Sequence, residues 1–136
     1  MASFQQSAIT NQGRNLISKG IAGAEINFTR IRIGSGYLPS GHLPADQTAL
    51  VQPVLDVVIS KLKNLGGGQV VVGGQFANAG ITTGFYFREI GLFAQDPDAG
   101  EILYSYGNAG SLAEWIDPDG TQNVITKSVD IRTSVG

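Results

Sequence analysis

Alternating apolar and polar residues along most of the chain predict short β-strands. Residues 27–33 place Ile31 and Ile33 on one face and Arg30 and Arg32 on the other, which is typical of a half-exposed strand. Further strands are predicted at 54–63, 69–76, 84–93, 101–106 and 123–133. Because glycine-rich and proline-rich turns separate them, the strands are expected to follow one another as antiparallel hairpins.

A helix is predicted only near the start of the chain. Thr10 is a suitable N-cap, Leu16 lies on the apolar side, and Gly20 is a suitable stop. A second, shorter helical turn is expected to begin at Asp46 and to end before Pro53. Sequential hairpins with one or two short helices near the N-terminal end predict an α+β fold, built mostly on antiparallel β-sheet.

The segment 84–93 is the most unusual of the predicted strands. It is almost wholly apolar and aromatic, yet Arg88 and Glu89 stand side by side within it. Neighbouring side chains of a strand point to opposite faces, so each apolar face would hold one charge. Buried charges must be paired or hydrogen-bonded, so either the charges are paired within the fold or one face meets another chain. The candidate interface or buried charge-pair residues are Phe85, Tyr86, Phe87, Arg88 and Glu89.

Composition limits the classes of protein to which the chain could belong. Its 136 residues suffice for one domain with a core, and no composition break divides 1–136. The charged fraction is only 15%, which favours a protein inside an assembly, and the net charge of −2 gives no footprint for nucleic acid or an anionic membrane. The absence of cysteine excludes disulfides and thiol catalysis. No signal peptide and no membrane span are predicted.

Motifs for catalysis and phosphate binding are weak. His42 is the only histidine and lies in a loop between glycine and leucine, with no visible triad partner. The glycine-rich segment Gly66–Gly74 lacks the lysine and hydroxyl residue of a phosphate loop, and its valines favour a hairpin. Residues 34–36, Gly-Ser-Gly, are equally weak because no helix clearly follows. We therefore predict no enzyme, no catalytic residue and no cofactor.

Two Asp-Pro-Asp sequences are better explained as turns than as calcium sites. Asp96 and Asp98, like Asp117 and Asp119, enclose a proline, and neither pair has the alternating oxygen ligands of a calcium loop. Glu101 adds a carboxylate near the first pair, so a weak surface cation site stays open as a minor alternative. No metal site is predicted.

Aromatic side chains leave open a second function, that of a carbohydrate-binding module contacting a cell surface. Tyr37 lies in a long loop rich in glycine and proline and is the aromatic residue expected to be exposed, with His42 as its polar neighbour. Packing in the core or an interface is favoured for the others. These are Phe85, Tyr86, Phe87, Phe93, Tyr104 and Tyr106.

The order of several segments carries a resemblance to a known family. The segments are 9–17 (ITNQGRNLI), 28–36 (FTRIRIGSG), 47–51 (QTALV), 76–93 (FANAGITTGFYFREIGLF) and 101–110 (EILYSYGNAG). In this order the segments resemble the N-terminal domain of bacteriophage tail-collar fibre proteins, and the resemblance extends over nearly the whole chain. The most specific pieces are 84–93 and 101–106.

The resemblance implies a structural role in a virion. Domains of this family attach a fibre to phage tail or baseplate proteins, while distal fibre parts meet the host, and the fibres are typically homotrimers. Phage-tail-like particles made in the bacterial cytoplasm use similar parts, and no catalytic residues belong to the family pattern. The chain stops at Gly136 without a shaft-like repeat or a receptor-binding tip, so we expect either the base of a longer fibre or a short adaptor for a distal fibre protein.

Overall fold

A computed structural model describes residues 6–21, 26–120 and 126–135 of the chain. The strands are β1 (Gln6–Ile9), β2 (Asn27–Gly34), β3 (Pro53–Val57), β4 (Lys61–Gly66), β5 (Gln69–Ala77), β6 (Phe85–Phe87), β7 (Glu89–Asp96), β8 (Gly100–Asn108), β9 (Glu114–Ile116) and β10 (Thr126–Ser134). The helices are α1 (Asn11–Ile21) and two single 3-10 turns, Pro44–Asp46 and Gly110–Leu112. The fold is mostly antiparallel β-sheet with one short α-helix, which agrees with the predicted sheet-rich α+β class.

Three antiparallel sheets make up the described part of the chain. A five-stranded sheet has the order β1-β8-β7-β2-β3, a three-stranded sheet the order β10-β5-β4, and β6 pairs with β9. The predicted hairpins are confirmed as β4–β5 and β7–β8. The β4–β5 reversal requires glycine, because Gly66, Gly67 and Gly68 have φ of 82°, 64° and 78°. Gly66–Gly74 is therefore a hairpin and not a phosphate loop.

The prediction of one strand over 54–63 is wrong, because the chain changes sheets within it. β3 belongs to the five-stranded sheet and β4 to the three-stranded sheet, and residues 58–60 link them. Ser60 N–H donates to Gly73 O at 2.9 Å, and the Val58 carbonyl lies where a side chain at Gly74 would stand. The absence of a side chain at Gly74 thus lets the link pass close to β5.

The segment 84–93 also divides, at Arg88, into strands of two different sheets. β6 pairs with β9, whereas β7 lies between β2 and β8. At the division, Arg88 N–H donates to Gly34 O at 2.9 Å and Ala109 N–H donates to Arg88 O at 2.7 Å. The predicted alternation of the aromatic residues is confirmed in β6, since Phe85 and Phe87 are buried and Tyr86 is exposed.

Helix α1 begins as predicted at Thr10. Its hydroxyl accepts a 3.0 Å hydrogen bond from Gly13 N–H and donates to a carbonyl of β8. Gly13 lets the helix approach β8, because a Cβ atom there would overlap the backbone of Tyr104. The helix continues one residue past the predicted stop at Gly20. The second predicted turn is displaced, because Asp46 ends a 3-10 turn instead of beginning one.

Hydrophobic residues cover both faces of the five-stranded sheet. The main core joins the three sheets and the helix, and its fully buried members include Leu16, Ile31, Ile33, Val72, Leu92, Tyr104 and Ile116. A smaller cluster on the other side consists of Leu50, Phe93, Leu103 and Tyr106. Because Leu92 and Phe93 belong to different clusters, β7 is buried on both faces within the chain. This burial explains why its sequence is apolar on both faces.

The last strand has the two faces that its sequence predicts. In β10, Val129 is buried and Ile131 is half-buried, while Thr126, Ser128, Asp130 and Arg132 are exposed. Residues 123–125, with which the predicted strand begins, lie outside the described residues. β10 is an edge strand of the three-stranded sheet and pairs along its whole length with the central strand β5.

Candidate functional site

Glu89, the first residue of β7, is fully buried and hydrogen-bonded by neutral donors. Its carboxylate accepts from the backbone N–H groups of Gly36 at 3.0 Å, Val51 at 2.8 Å and Gln52 at 2.7 Å. The Tyr106 hydroxyl donates a fourth hydrogen bond at 2.7 Å. These four N–H and O–H donors satisfy both oxygens of the buried carboxylate. We call these five residues and Asn108 the Glu89 network.

Two glycines leave the space that the Glu89 carboxylate occupies. A Cβ atom at Gly34 would lie 2.6 Å from Glu89 Oε2, and one at Gly36 would lie 2.9 Å from the same oxygen and 2.6 Å from Val51 Cβ. Backbone N–H groups in a glycine-rich loop are suited to binding an anion. Here the anion is the carboxylate of the chain itself, which explains the Gly-Ser-Gly sequence without a phosphate.

Asn108 extends the Glu89 network along β8. Its side-chain amide donates to Gly36 O and to the Tyr106 hydroxyl, both at 3.0 Å, and its Oδ1 accepts from Gly110 N–H at 2.8 Å. Burial, and then the hydrogen bond to Glu89, raises the pKa of the Tyr106 hydroxyl well above its usual value. The hydroxyl therefore stays protonated and keeps donating. The network fastens two loops to the five-stranded sheet.

Arg88 has partners separate from those of Glu89. Its Nε donates to Gly110 O at 3.0 Å and its Nη1 to Ser35 O at 2.5 Å. The guanidinium carbon lies 3.8 Å from the ring centre of Tyr37 and 5.3 Å from that of Tyr86. The sequence left two possibilities, that the charges are paired within the fold or that one face meets another chain. In the structure, Arg88 and Glu89 each bind groups of the same chain, in two separate clusters.

An exposed row of aromatic side chains continues from Arg88. Tyr86 and Trp115 are opposite each other in β6 and β9, with ring centres 5.0 Å apart and planes inclined at 65°. Tyr37, Tyr86 and Trp115 have 59%, 48% and 46% of their surfaces exposed. We call Tyr37, Arg88, Tyr86 and Trp115 the aromatic row. It is the largest cluster of exposed rings in the described part of the chain.

The residues expected to form a sugar platform are only partly brought together. Tyr37 is exposed, as predicted, but the polar group at its ring is Arg88. His42 is exposed in a turn, where its N–H donates to Pro39 O at 3.0 Å. The structure thus adds Tyr86 to the candidate platform and assigns His42 a position in the turn.

Both Asp-Pro-Asp sequences form turns with their own partners. Lys19 Nζ lies 2.7 Å from Asp96 Oδ1 and 2.8 Å from Asp98 Oδ2, and hydrogen bonding to Lys19 lowers the pKa of the Asp96 carboxyl. Asp117 accepts from the indole N–H of the neighbouring β9, and Asp119 accepts from a backbone N–H of the 78–80 turn. Among the described residues, no group of three or more acidic or histidine side chains could hold a metal ion.

A cleft of about 530 Å³ lies between β10 and the β1–β8 edge of the five-stranded sheet. Ile9, Phe87 and Ile90 supply apolar wall, and Glu114 forms an ion pair with Lys127 there. The only histidine of the chain lies elsewhere, in the loop between β2 and β3. The cleft therefore offers a paired carboxylate and apolar surface, and Phe87 is the one sequence-predicted site residue that lines it.

Sequence reasoning identified Glu89 but missed every residue that binds it. Gly36, Val51 and Gln52 contribute through their backbone, which carries no side-chain signal. The Gly-Ser-Gly spacing was the one available indication, because it signals a close approach of another group to the backbone. Tyr106 resembles any other aromatic residue of a buried strand until its hydroxyl partner is known.

Comparison with protein-family models, with curated proteins and with solved structures gives no match to this chain. The resemblance to tail-collar fibre domains therefore stays a prediction from the sequence. Among the described residues, no helix has both the length and the apolar character that crossing a membrane requires.

Proposed function

We propose that the chain is a structural attachment module that joins a tail fibre to a phage tail, a baseplate or a phage-tail-like particle. The proposal rests on which segments of the sequence supply the residues of the Glu89 network. Gly36, Val51, Glu89 and Tyr106 come from four of the five segments on which the resemblance rests, and they meet at one carboxylate. The segments that resemble the family are thus the ones that hold this scaffold together.

The remaining segment of the resemblance is tied to the same sheet. The Thr10 hydroxyl donates to Leu103 O in β8, the strand that also supplies Tyr106 to Glu89. A likeness concentrated in scaffold residues argues for a shared architecture and a shared mechanical role. It gives no support to a shared reaction, because the network presents no nucleophile or base to solvent.

The surface of the described residues also fits an attachment role. Tyrosine, tryptophan and arginine are the residue types enriched at energetically important positions of protein interfaces. The aromatic row places exposed tyrosine and tryptophan rings on one patch, with the largely buried guanidinium of Arg88 against two of the rings. The proposal includes a homotrimer in the virion tail, tail or baseplate proteins as partners, and a distal fibre protein or region that meets the host.

A carbohydrate-binding module is the second candidate. The observation in its favour is the exposure of Tyr37, Tyr86 and Trp115 on one patch, since exposed rings also stack on sugars. In that case the chain would contact the host surface directly, and its partner would be a glycan in place of a tail protein.

Co-sedimentation with tail particles tests the two candidates. Tails assembled without this chain are mixed with the purified chain and sedimented, and light scattering gives the mass of the free chain. We expect a mass of three 14.3 kDa chains and co-sedimentation that saturates at a fixed ratio. A monomer that stays in the supernatant and binds a glycan array would contradict the attachment proposal in favour of the second candidate.

A further inference from the structure

We propose that the aromatic row is the surface through which the chain docks, and that it receives a carboxylate-bearing segment of a partner protein. The inference rests on the proposed function and deepens it, because it names the surface and the chemistry of the partner. The occupant is a protein segment that offers a glutamate or aspartate side chain flanked by apolar groups.

Arg88 is the positively charged group that would bind the carboxylate of the partner. Its guanidinium is held in place by two carbonyl groups, Gly110 O on Nε and Ser35 O on Nη1. The Nη2 group has no hydrogen-bond acceptor among the described residues. Arg88 as a whole is only 9% exposed, but Nη2 is not one of the fully buried unpaired atoms, so a partner would reach the guanidinium at this nitrogen. A fixed guanidinium with free donors matches a carboxylate better than any other side-chain group.

The rings beside Arg88 strengthen such a contact. Tyr37 and Tyr86 lie on the guanidinium at 3.8 Å and 5.3 Å and keep water from part of its surface. A charge-assisted hydrogen bond gains strength where water is partly excluded. The same rings, with Trp115, supply apolar area for the residues that flank the carboxylate.

The geometry of the rings favours a protein segment over a sugar. Tyr86 and Trp115 are inclined at 65°, so together they form a corner and present no shared flat platform. The indole N–H of Trp115 already donates to Asp117 at 2.9 Å and is not free for a sugar hydroxyl. A corner with a cation at one end suits side chains that enter from a loop or an extended segment.

Fluorescence of Trp115 can report binding at the aromatic row, because Trp115 is the only tryptophan in the chain. The first probe is a capped peptide of alternating leucine and glutamate, and its matched control carries glutamine in place of glutamate. A third probe is an oligosaccharide of uronic acid. We expect the acidic peptide to shift the Trp115 emission to shorter wavelength and to bind about tenfold more tightly than the glutamine peptide.

Three variants assign the effect to the aromatic row. Arg88→Lys keeps the charge but loses the forked donor, and Tyr86→Thr keeps strand propensity but removes a ring; each should weaken acidic-peptide binding several-fold. Leu62→Thr is the matched control, because Leu62 is 65% exposed in β4 of a different sheet. Its peptide binding should equal that of the unmodified chain. Circular dichroism of each variant verifies that the fold is kept.

A second measurement separates this inference from the attachment function. Acrylamide quenching of Trp115 is followed while the chain binds tails that lack it, and reduced quenching on binding supports the inference. Binding with unchanged quenching overturns the inference and leaves attachment intact. Failure to bind tails overturns the attachment function, and the peptide comparison then decides the inference by itself. Equal binding of the two peptides, or tighter binding of the uronic acid oligosaccharide, overturns it.

Discussion

The Tyr106 hydroxyl donates a 2.7 Å hydrogen bond to the buried carboxylate of Glu89, and three backbone N–H groups complete the set. This arrangement makes a carboxylate inside an apolar sheet the point where both ends of the β2–β3 connection are held against β7 and β8. Because the donors are neutral, the carboxylate depends on all of them together. Its removal leaves several buried donors without an acceptor.

Glu89→Ala should lower the free energy of unfolding by about 3–5 kcal/mol, because it leaves a buried polar cluster without its central acceptor. Urea denaturation followed by circular dichroism measures the change. Glu101→Gln is the matched control, since Glu101 is a partly exposed carboxylate that pairs with Arg30 at 2.8 Å. The control should change stability by no more than about 1 kcal/mol. Equal losses in the two variants would remove the special role given to Glu89.

Tyr106→Phe should cost about 1.5–3 kcal/mol, because it removes one hydrogen bond to a charged group and leaves the ring in place. Tyr37→Phe is the comparison, since Tyr37 is exposed, and its effect should stay within about 0.5 kcal/mol. A double-mutant cycle with Glu89→Gln should show coupling between residues 89 and 106. Additive losses would mean that the two side chains act independently.

Gly34→Ala should destabilise the chain by about 1–3 kcal/mol, since the new methyl group would press on the Glu89 carboxylate and on the Gln52 backbone. Gly20→Ala is the paired control in α1, where the nearest atoms to a new Cβ lie at 3.7 Å. That substitution should be neutral or stabilising by up to about 1 kcal/mol. Thermal unfolding of both variants gives the comparison. Similar behaviour of the two would show that the space beside Glu89 is not restricted.

Stability should fall at high pH because the pKa of Tyr104 is raised to about 12 by burial. A raised pKa means that the folded state holds the proton more tightly than the unfolded chain does. The stabilising contribution is therefore complete below the ordinary tyrosine pKa of about 10 and is lost as the pH rises towards about 12.

Unfolding free energies measured between neutral and alkaline pH, together with tyrosinate absorbance, check this dependence. Tyr104→Phe should make the alkaline decline shallower, and Tyr106, whose pKa is also raised, should account for a remaining part. Tyr86→Phe, which changes an exposed ring, should leave the decline unaltered. Loss of stability with the same slope in both variants would assign the decline to other groups.

Stability should also fall at low pH through Asp96. Hydrogen bonding to Lys19 lowers the pKa of the Asp96 carboxyl, so the stabilising contribution is present above the ordinary aspartate pKa of about 4. It is lost as the pH falls through the lowered value. Asp96→Asn should weaken this acid dependence more than Asp98→Asn, since Asp98 is 77% exposed. Acid titrations of the two variants by circular dichroism measure the difference.

Short sequence patterns predict the structure correctly where it depends on residues close together in the chain. The cap at Thr10 and the hairpin turn at Gly66–Gly68 depend on side-chain size and backbone freedom within a few residues. The changes of sheet were not predictable in this way. The break at Arg88 depends on a hydrogen bond from its N–H to Gly34 O, and the two residues are far apart in the chain. Period-two alternation continues across such a break and cannot reveal it.

The candidate site shows the same limit. The sequence singled out Arg88 and Glu89 by their apolar surroundings, but their partners are mostly backbone groups that every residue possesses. The aromatic row likewise joins Tyr37 from a loop to Trp115 from β9 through Arg88 and Tyr86 of β6. Only the fold brings these residues together, so pairing Tyr37 with His42 was the nearest proposal that sequence proximity allowed.

An electron-microscopic reconstruction of tails mixed with an excess of the purified chain tests the central claim most directly. The proposal of an attachment module predicts three copies of the chain where a fibre joins the tail, with Tyr86 and Trp115 covered by a tail protein and a carboxylate beside Arg88. Tails whose reconstruction contains no copy of the chain, under conditions where other tail proteins are at full occupancy, would contradict it.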